Sequence, residues 1–131
     1  MHKSCSYITD VGINAVVQST KDLRCLIISK CTLLTDSFLL TLAQSECSAT
    51  IRLLDVYRCT SVTDNGLTAL ARNCPNLSVL NLGDCGTVTS KLLEELGESS
   101  SLSKLREFYV TSNQVDAIPA SFARVRIILV S

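Results

Sequence analysis

Neither sign of charge prevails in this chain, histidine is almost missing and no apolar run is long; each shortage removes a class of function. Twelve basic and twelve acidic residues cancel, so no net field draws in nucleic acid or an anionic membrane, and neither is expected as a partner. No stretch approaches the roughly 20 consecutive apolar residues of a membrane-spanning helix. The opening Met1-His2-Lys3-Ser4-Cys5 also lacks the apolar run of a signal peptide. His2, the single histidine, lies in an N-terminal stub, which leaves no imidazole for a Ser–His or Cys–His nucleophile pair. "NLGDCGTV", residues 81–88, has two glycines but no lysine following at the spacing of a phosphate-binding loop. No enzyme activity, cofactor or small-molecule substrate is expected.

What the chain does have is apolar mass and thiols. Its 131 residues, 47% of them hydrophobic, suffice for one domain with a continuous core. Seven cysteines without an export signal point to a reducing intracellular compartment, cytoplasmic or nuclear, rather than to a disulfide framework. None of them forms a C-x-x-C pair, so no zinc site is expected.

The apolar residues recur in a long period. Leu23-x-x-Leu26-x-Ile28-x-x-Cys31 is followed by Ile51-x-x-Leu54-x-Val56-x-x-Cys59, Leu77-x-x-Leu80-x-Leu82-x-x-Cys85 and Leu105-x-x-Phe108-x-Val110-x-x-Asn113; Val125-x-x-Ile128-x-Val130 is a fifth, partial copy. The anchors Cys5, Cys31, Cys59, Cys85 and Asn113 stand 26, 28, 26 and 28 residues apart, inside the roughly 20–29-residue period of leucine-rich repeats. Alternation within each copy predicts a short strand centred on residues 26–28, 54–56, 80–82, 108–110 and 128–130, with the intervening residue facing out. Thr-Asp pairs at 9–10, 35–36 and 63–64 then precede apolar residues at helical spacing: Ile13, Val16 and Val17; Leu39, Leu42 and Ala43; Leu67, Leu70 and Ala71. Strand, turn and returning helix, stacked side by side, make an α/β leucine-rich-repeat solenoid: a curved parallel sheet on the concave face and helices on the convex face.

Residues 5 to about 112 resemble the cysteine-containing leucine-rich repeats of F-box proteins and their relatives. The resemblance rests on the cysteine at the ninth repeat position, the Thr-Asp that follows it, and "GLTALARNCPNLSVLNLGDC". It implies a role in substrate recognition or scaffolding, such as in ubiquitin ligation. No F-box-like segment precedes the repeats, so docking to a cullin-ligase adaptor has no candidate residues. The expected organisation is one repeat domain over 1–131, incomplete at both ends, with cysteine-containing repeats over 5–112. A shorter repeat without cysteine, with little or no helix, follows over 113–131. The missing caps suggest a longer chain or a hetero-complex.

Most cysteines are absorbed by repeat position. Cys5, Cys31, Cys59 and Cys85 are expected as a buried ladder, and Cys47 and Cys74 as a second equivalent pair. Cys25 lies on the predicted exposed face and is the thiol expected to react first. Glu94, Glu95 and Glu98 read as a solvated helix face.

Recognition is left to the outward strand residues, which fall into columns. One runs Cys25, Leu53, Val79, Glu107, Ile127; the next Ile27, Asp55, Asn81, Tyr109, Leu129; a third Ser29, Tyr57, Gly83, Thr111, beside Lys30, Arg58, Asp84 and Ser112. Apolar residues beside tyrosine and arginine make the mixture found at protein interfaces. The candidate partner-binding residues are therefore Leu53, Asp55, Tyr57, Arg58, Val79, Asn81, Asp84, Glu107 and Tyr109, facing a protein partner. A last column, Arg24, Arg52, Ser78, Arg106 and Arg126, stands where each strand begins; its arginines are expected to fan into solvent, or else to mark an acidic partner. The alternative to concave recognition is a subunit of a large assembly that contacts its neighbours through the solenoid ends.

Overall fold

Two changes of apolar period in each repeat, from two to 3.6 and back, give the chain its alternating elements. The computed structural model describes residues 7–85, 90–98, 102–111, 122 and 124–130. Its strands are β1 (Cys25–Ile27), β2 (Leu53–Asp55), β3 (Val79–Asn81), β4 (Glu107–Thr111) and β5 (Arg126–Val130), and its helices α1 (Asp10–Ser19), α2 (Asp36–Gln44), α3 (Asp64–Asn73) and α4 (Ser90–Glu98). The strands pair in parallel in the order β1-β2-β3-β4-β5. Each strand lies beside the next in sequence, so the sheet grows by one strand per repeat and the fold is a leucine-rich-repeat solenoid.

The expected inward residues of β1 to β4 are inside. Leu26, Ile28, Leu54, Val56, Leu80, Leu82, Phe108 and Val110 are buried, and meet Ile13 and Val17 of α1, Leu39 and Leu42 of α2, Leu67 and Leu70 of α3, and Leu93 and Leu96 of α4 in one continuous core. Val16, expected on the inner face of α1, is half-buried.

The corner after each strand has a common construction. Lys30, Arg58 and Asp84 adopt left-handed backbone conformations (φ 63°, 60° and 57°), although none is glycine. Their N–H groups reach the next repeat: Lys30 to the Tyr57 carbonyl (2.6 Å), Arg58 to the Gly83 carbonyl (2.9 Å) and Asp84 to the Thr111 hydroxyl (2.7 Å). The kink turns the following cysteine inward, where Cys59 Sγ donates to the Ile28 carbonyl (3.1 Å) and Cys85 Sγ to the Val56 carbonyl (3.0 Å) of the preceding repeat. Cys47, in the 3-10 turn Glu46–Ala49, donates in the same way to the Thr20 carbonyl (2.8 Å). The cysteines are small apolar fillers that also satisfy buried carbonyls.

A second ladder ties the convex side together. Asp10 accepts from the backbone N–H (3.0 Å) and hydroxyl (2.5 Å) of Thr35. One repeat later Asp36 accepts from the Thr63 N–H (2.7 Å) and from its hydroxyl. The Thr-Asp pair thus does more than start a helix: Asp10 and Asp36 each clasp the threonine of the next repeat. Charge-assisted bonds of this kind are worth about 1.5–3 kcal/mol.

The fifth strand departs from expectation. Glu107, Tyr109 and Thr111 stand opposite Arg126, Ile128 and Val130, so Ile127 and Leu129 do not extend the concave columns; they share a side with Phe108 and Val110. Leu105 precedes its strand by two residues but buried Val125 by one, and Phe122 stacks on Phe108 at 5.4 Å between ring centroids. The run Val125–Val130 is apolar on both parities apart from Arg126, so its composition could not choose a register. Arg126 consequently leaves the arginine column and pairs with Glu107 at 4.0 Å. Cys5, Ser112, Asn113 and the expected thinning of the helical side over 113–121 lie outside the described residues.

Candidate functional site

The parallel register turns outward strand residues into rows across the sheet. Cys25, Leu53, Val79 and Glu107 are successive partners, as are Ile27, Asp55, Asn81 and Tyr109. All eight are half-buried, flanked by neighbouring strands about 4.8 Å away while their tips remain accessible. Leu53 and Val79 are direct neighbours and give an apolar centre, with Ile27 beside Asp55 in the next row.

Polar atoms around this centre are held in place. Asp55 Oδ1 accepts from the Tyr57 N–H (2.9 Å) and Asn81 Oδ1 from the Gly83 N–H (2.9 Å), so both side chains are oriented by the turn that ends their own strand. The Tyr109 hydroxyl donates to Glu107 Oε1 (3.2 Å). Loss of hydration, then the Glu107 carboxylate, pushes the Tyr109 phenol above its ordinary value, so it remains a neutral donor near neutral pH.

Tyr57 is placed by something absent. A side chain at Gly83 would put its Cβ 2.5 Å from Val130 Cγ2 and 2.8 Å from Tyr57 Cδ1. The missing Cβ therefore lets the tyrosine ring from the turn after β2 and the valine from β5 close over the same backbone. Arg58 lies over the Tyr57 ring at 5.2 Å and pairs with Asp84 at 3.3 Å. Both ionic partners are substantially exposed, so this pair contributes little to stability and serves to orient the arginine. The sequence placed Tyr57, Gly83 and Thr111 in one column, but gave no sign that Val130 would cover it.

The cysteines offer no comparable site. Burial pushes the Cys59 and Cys74 thiols up to about 12 and Cys85 higher still, which keeps them protonated. Cys25 is half-buried, whereas Cys31, Cys47, Cys59, Cys74 and Cys85 are buried. Among the described residues no three His, Cys, Asp or Glu side chains gather as a metal site, and no helix is long and apolar enough to cross a membrane. On the convex side Glu94 is exposed and Glu95 accepts from the Thr68 hydroxyl at 3.3 Å.

Repeat period, parallel sheet and corner geometry define the chain as a leucine-rich-repeat solenoid. No known family profile and no curated protein matches it. Its fold matches a chain in the crystal structure of the Rad7 and Elc1 complex in yeast, with a TM-score of 0.83 and 22% sequence identity over 96% of this chain. The matched region is 31% of that chain, and at this identity the likeness establishes the fold.

Proposed function

We propose that this solenoid is a protein-binding module and that its concave strand face is the binding surface. Leu53, Val79, Tyr57 and Tyr109 act as anchors, while Asp55, Asn81, Arg58, Asp84 and Glu107 supply directional polar contacts. The observation that carries this reading is the in-register apolar centre beside two tyrosines whose positions are set by Gly83 and Glu107. Aromatic anchors fixed before binding lose little entropy on association. A chain of the same fold found in a complex of two proteins supports it.

The cysteine-containing repeat type, with its resemblance to F-box repeats, favours substrate recognition or scaffolding in intracellular regulation, of which ubiquitin ligation is one form. In this reading residues 1–131 act as one repeat domain, without catalysis or cofactor, in the cytoplasm or nucleus. The test is the double substitution Tyr57→Ala and Tyr109→Ala in affinity capture from native extract. Loss of two aromatic anchors lowers recovery of specific partners by roughly tenfold or more. Unchanged recovery, with an unaltered circular-dichroism spectrum, contradicts the reading.

A second reading has its own observation. Tyr7 (85%) and Val11 (81%) near α1 and Leu129 (61%) on β5 are the most exposed large apolar residues described, and they sit at opposite flanks of the solenoid. A subunit packed into an assembly would cover them. Under that reading the isolated chain self-associates, and a monomer with a cooperative melt counts against it.

A further inference from the structure

The residues that precede the strands form a column on the edge of the sheet, away from the concave centre. Arg52 N–H donates to the Arg24 carbonyl, Ser78 N–H to the Arg52 carbonyl and Arg106 N–H to the Ser78 carbonyl, each at 2.8 Å. Serine between two arginines leaves a notch. A hollow of about 540 Å³ opens there, lined by Arg52, Asn76, Ser78, Lys104, Arg106 and Arg124, together with Ser103 and Leu105. Among the described residues it has four cationic side chains and no carboxylate.

Two of the cations are held by neutral groups. Arg124 donates to the Leu105 carbonyl (3.1 Å) and the Leu102 carbonyl (3.0 Å), which engages two of its five donor hydrogens. Lys104 donates to Asn76 Oδ1 (2.7 Å), and the Asn76 amide is fixed in turn on the Ala49 carbonyl (2.6 Å). The guanidinium groups of Arg52 and Arg106 have no hydrogen bond or ion pair among the described residues. Their backbones are two strand spacings apart, about 9.6 Å, so both forks can reach one group seated over Ser78. Arg24 differs: it is neutralised by Asp22 at 3.2 Å.

Gathering cations without an acid costs Coulomb repulsion that an anionic ligand removes. Arginine forks fit carboxylates and phosphoesters through paired hydrogen bonds. The hollow is larger than one phosphate, and among the described residues no aromatic side chain lines it to stack a base. We infer that this edge is a docking site for an acidic segment of a protein partner, whose carboxylate or phosphoester groups sit between Arg52 and Arg106. The site goes beyond the concave face and stands independently of it.

Fluorescence anisotropy of the whole chain with a labelled hexaglutamate peptide and a labelled phosphoserine peptide tests this directly. At least one peptide binds, more weakly as salt rises. Arg52→Ala with Arg106→Ala weakens it by roughly tenfold or more, and Arg24→Ala leaves it unchanged. Arg52→Lys with Arg106→Lys keeps the charge but loses the fork, and falls between. The peptide that binds tells a carboxylate-rich segment from a phosphorylated one. No binding of either peptide overturns the proposal, as does equal loss in Arg24→Ala, tighter binding of a single-stranded oligonucleotide, or equal affinity for inorganic phosphate alone. Tyr57→Ala with Tyr109→Ala leaves peptide affinity intact, so failure of the concave face and failure of this site are read separately.

Discussion

Cys59 and Cys85 each reach one repeat back to a carbonyl that the sheet ladder leaves over. The thiol must be protonated to donate, and burial enforces this by raising Cys59 from 9.0 to about 12. A folded-state value above the unfolded one means that the native state holds the proton more tightly. The associated stability is complete below about pH 9 and is lost as pH climbs towards 12. Urea midpoints should therefore fall more steeply between pH 8 and pH 11 in the native sequence than in Cys59→Ala; parallel curves would show that the thiol is not desolvated. The residue before the cysteine carries a different cost. Lys30 is exposed and left-handed at φ 63°, a conformation that glycine adopts without strain. Lys30→Gly should stabilise the protein by roughly 0.5–1 kcal/mol in chemical denaturation, and a loss of stability would contradict the strain assignment.

At the scale of the element, adjacent helices are tied by the Thr-Asp clasp, and α3 is also spaced from α2 by a glycine in its first turn. A Cβ at Gly66 of α3 would lie 2.6 Å from Asp36 Oδ1 and 2.9 Å from Leu39 Cδ1 of α2, whereas a Cβ at Gly12 of α1 meets nothing within 4 Å. The same substitution should thus have opposite signs. Gly12→Ala gains helix propensity, about 0.5–1 kcal/mol, while Gly66→Ala pushes α3 off α2 and costs roughly 1–3 kcal/mol. Thermal melts of the two variants check this, and equal shifts would remove the claim that Gly66 sets helix spacing. The elements themselves were legible in the sequence because β1 to β4 each carry a clean inward pair and each helix a regular stripe. β5 was not, because Arg126-Ile127-Ile128-Leu129-Val130 offers apolar side chains to both faces and alternation cannot choose between them. The left-handed corners were hidden for another reason: Lys, Arg and Asp occupy positions where local preference would ask for glycine, and the inter-repeat bonds override it.

Across the whole molecule, stacking repeats in register turns a period in the chain into a surface. The rows Leu53-Val79 and Asp55-Asn81-Tyr109 could be written down from the sequence because, through β4, each strand holds the same place within its copy of the apolar pattern, whatever the length of the connection between copies. The closure of Tyr57 and Val130 over Gly83 could not, since it brings together a residue of the turn after β2 and one of β5, three strands apart, and depends on the slipped register of β5. The basic hollow was half legible: its arginine column was plain, but Lys104 and Arg124 come from loops between strands and only folding brings them to Ser78. The central claim is that partners meet the concave face. A photo-crosslinking amino acid placed at Val79, at Leu40 on the convex side, or at Val11 on the flank, and irradiated in native extract, tests it most directly. The account predicts specific protein adducts from position 79 and none from position 40. Adducts confined to positions 40 or 11, with position 79 silent, would contradict it.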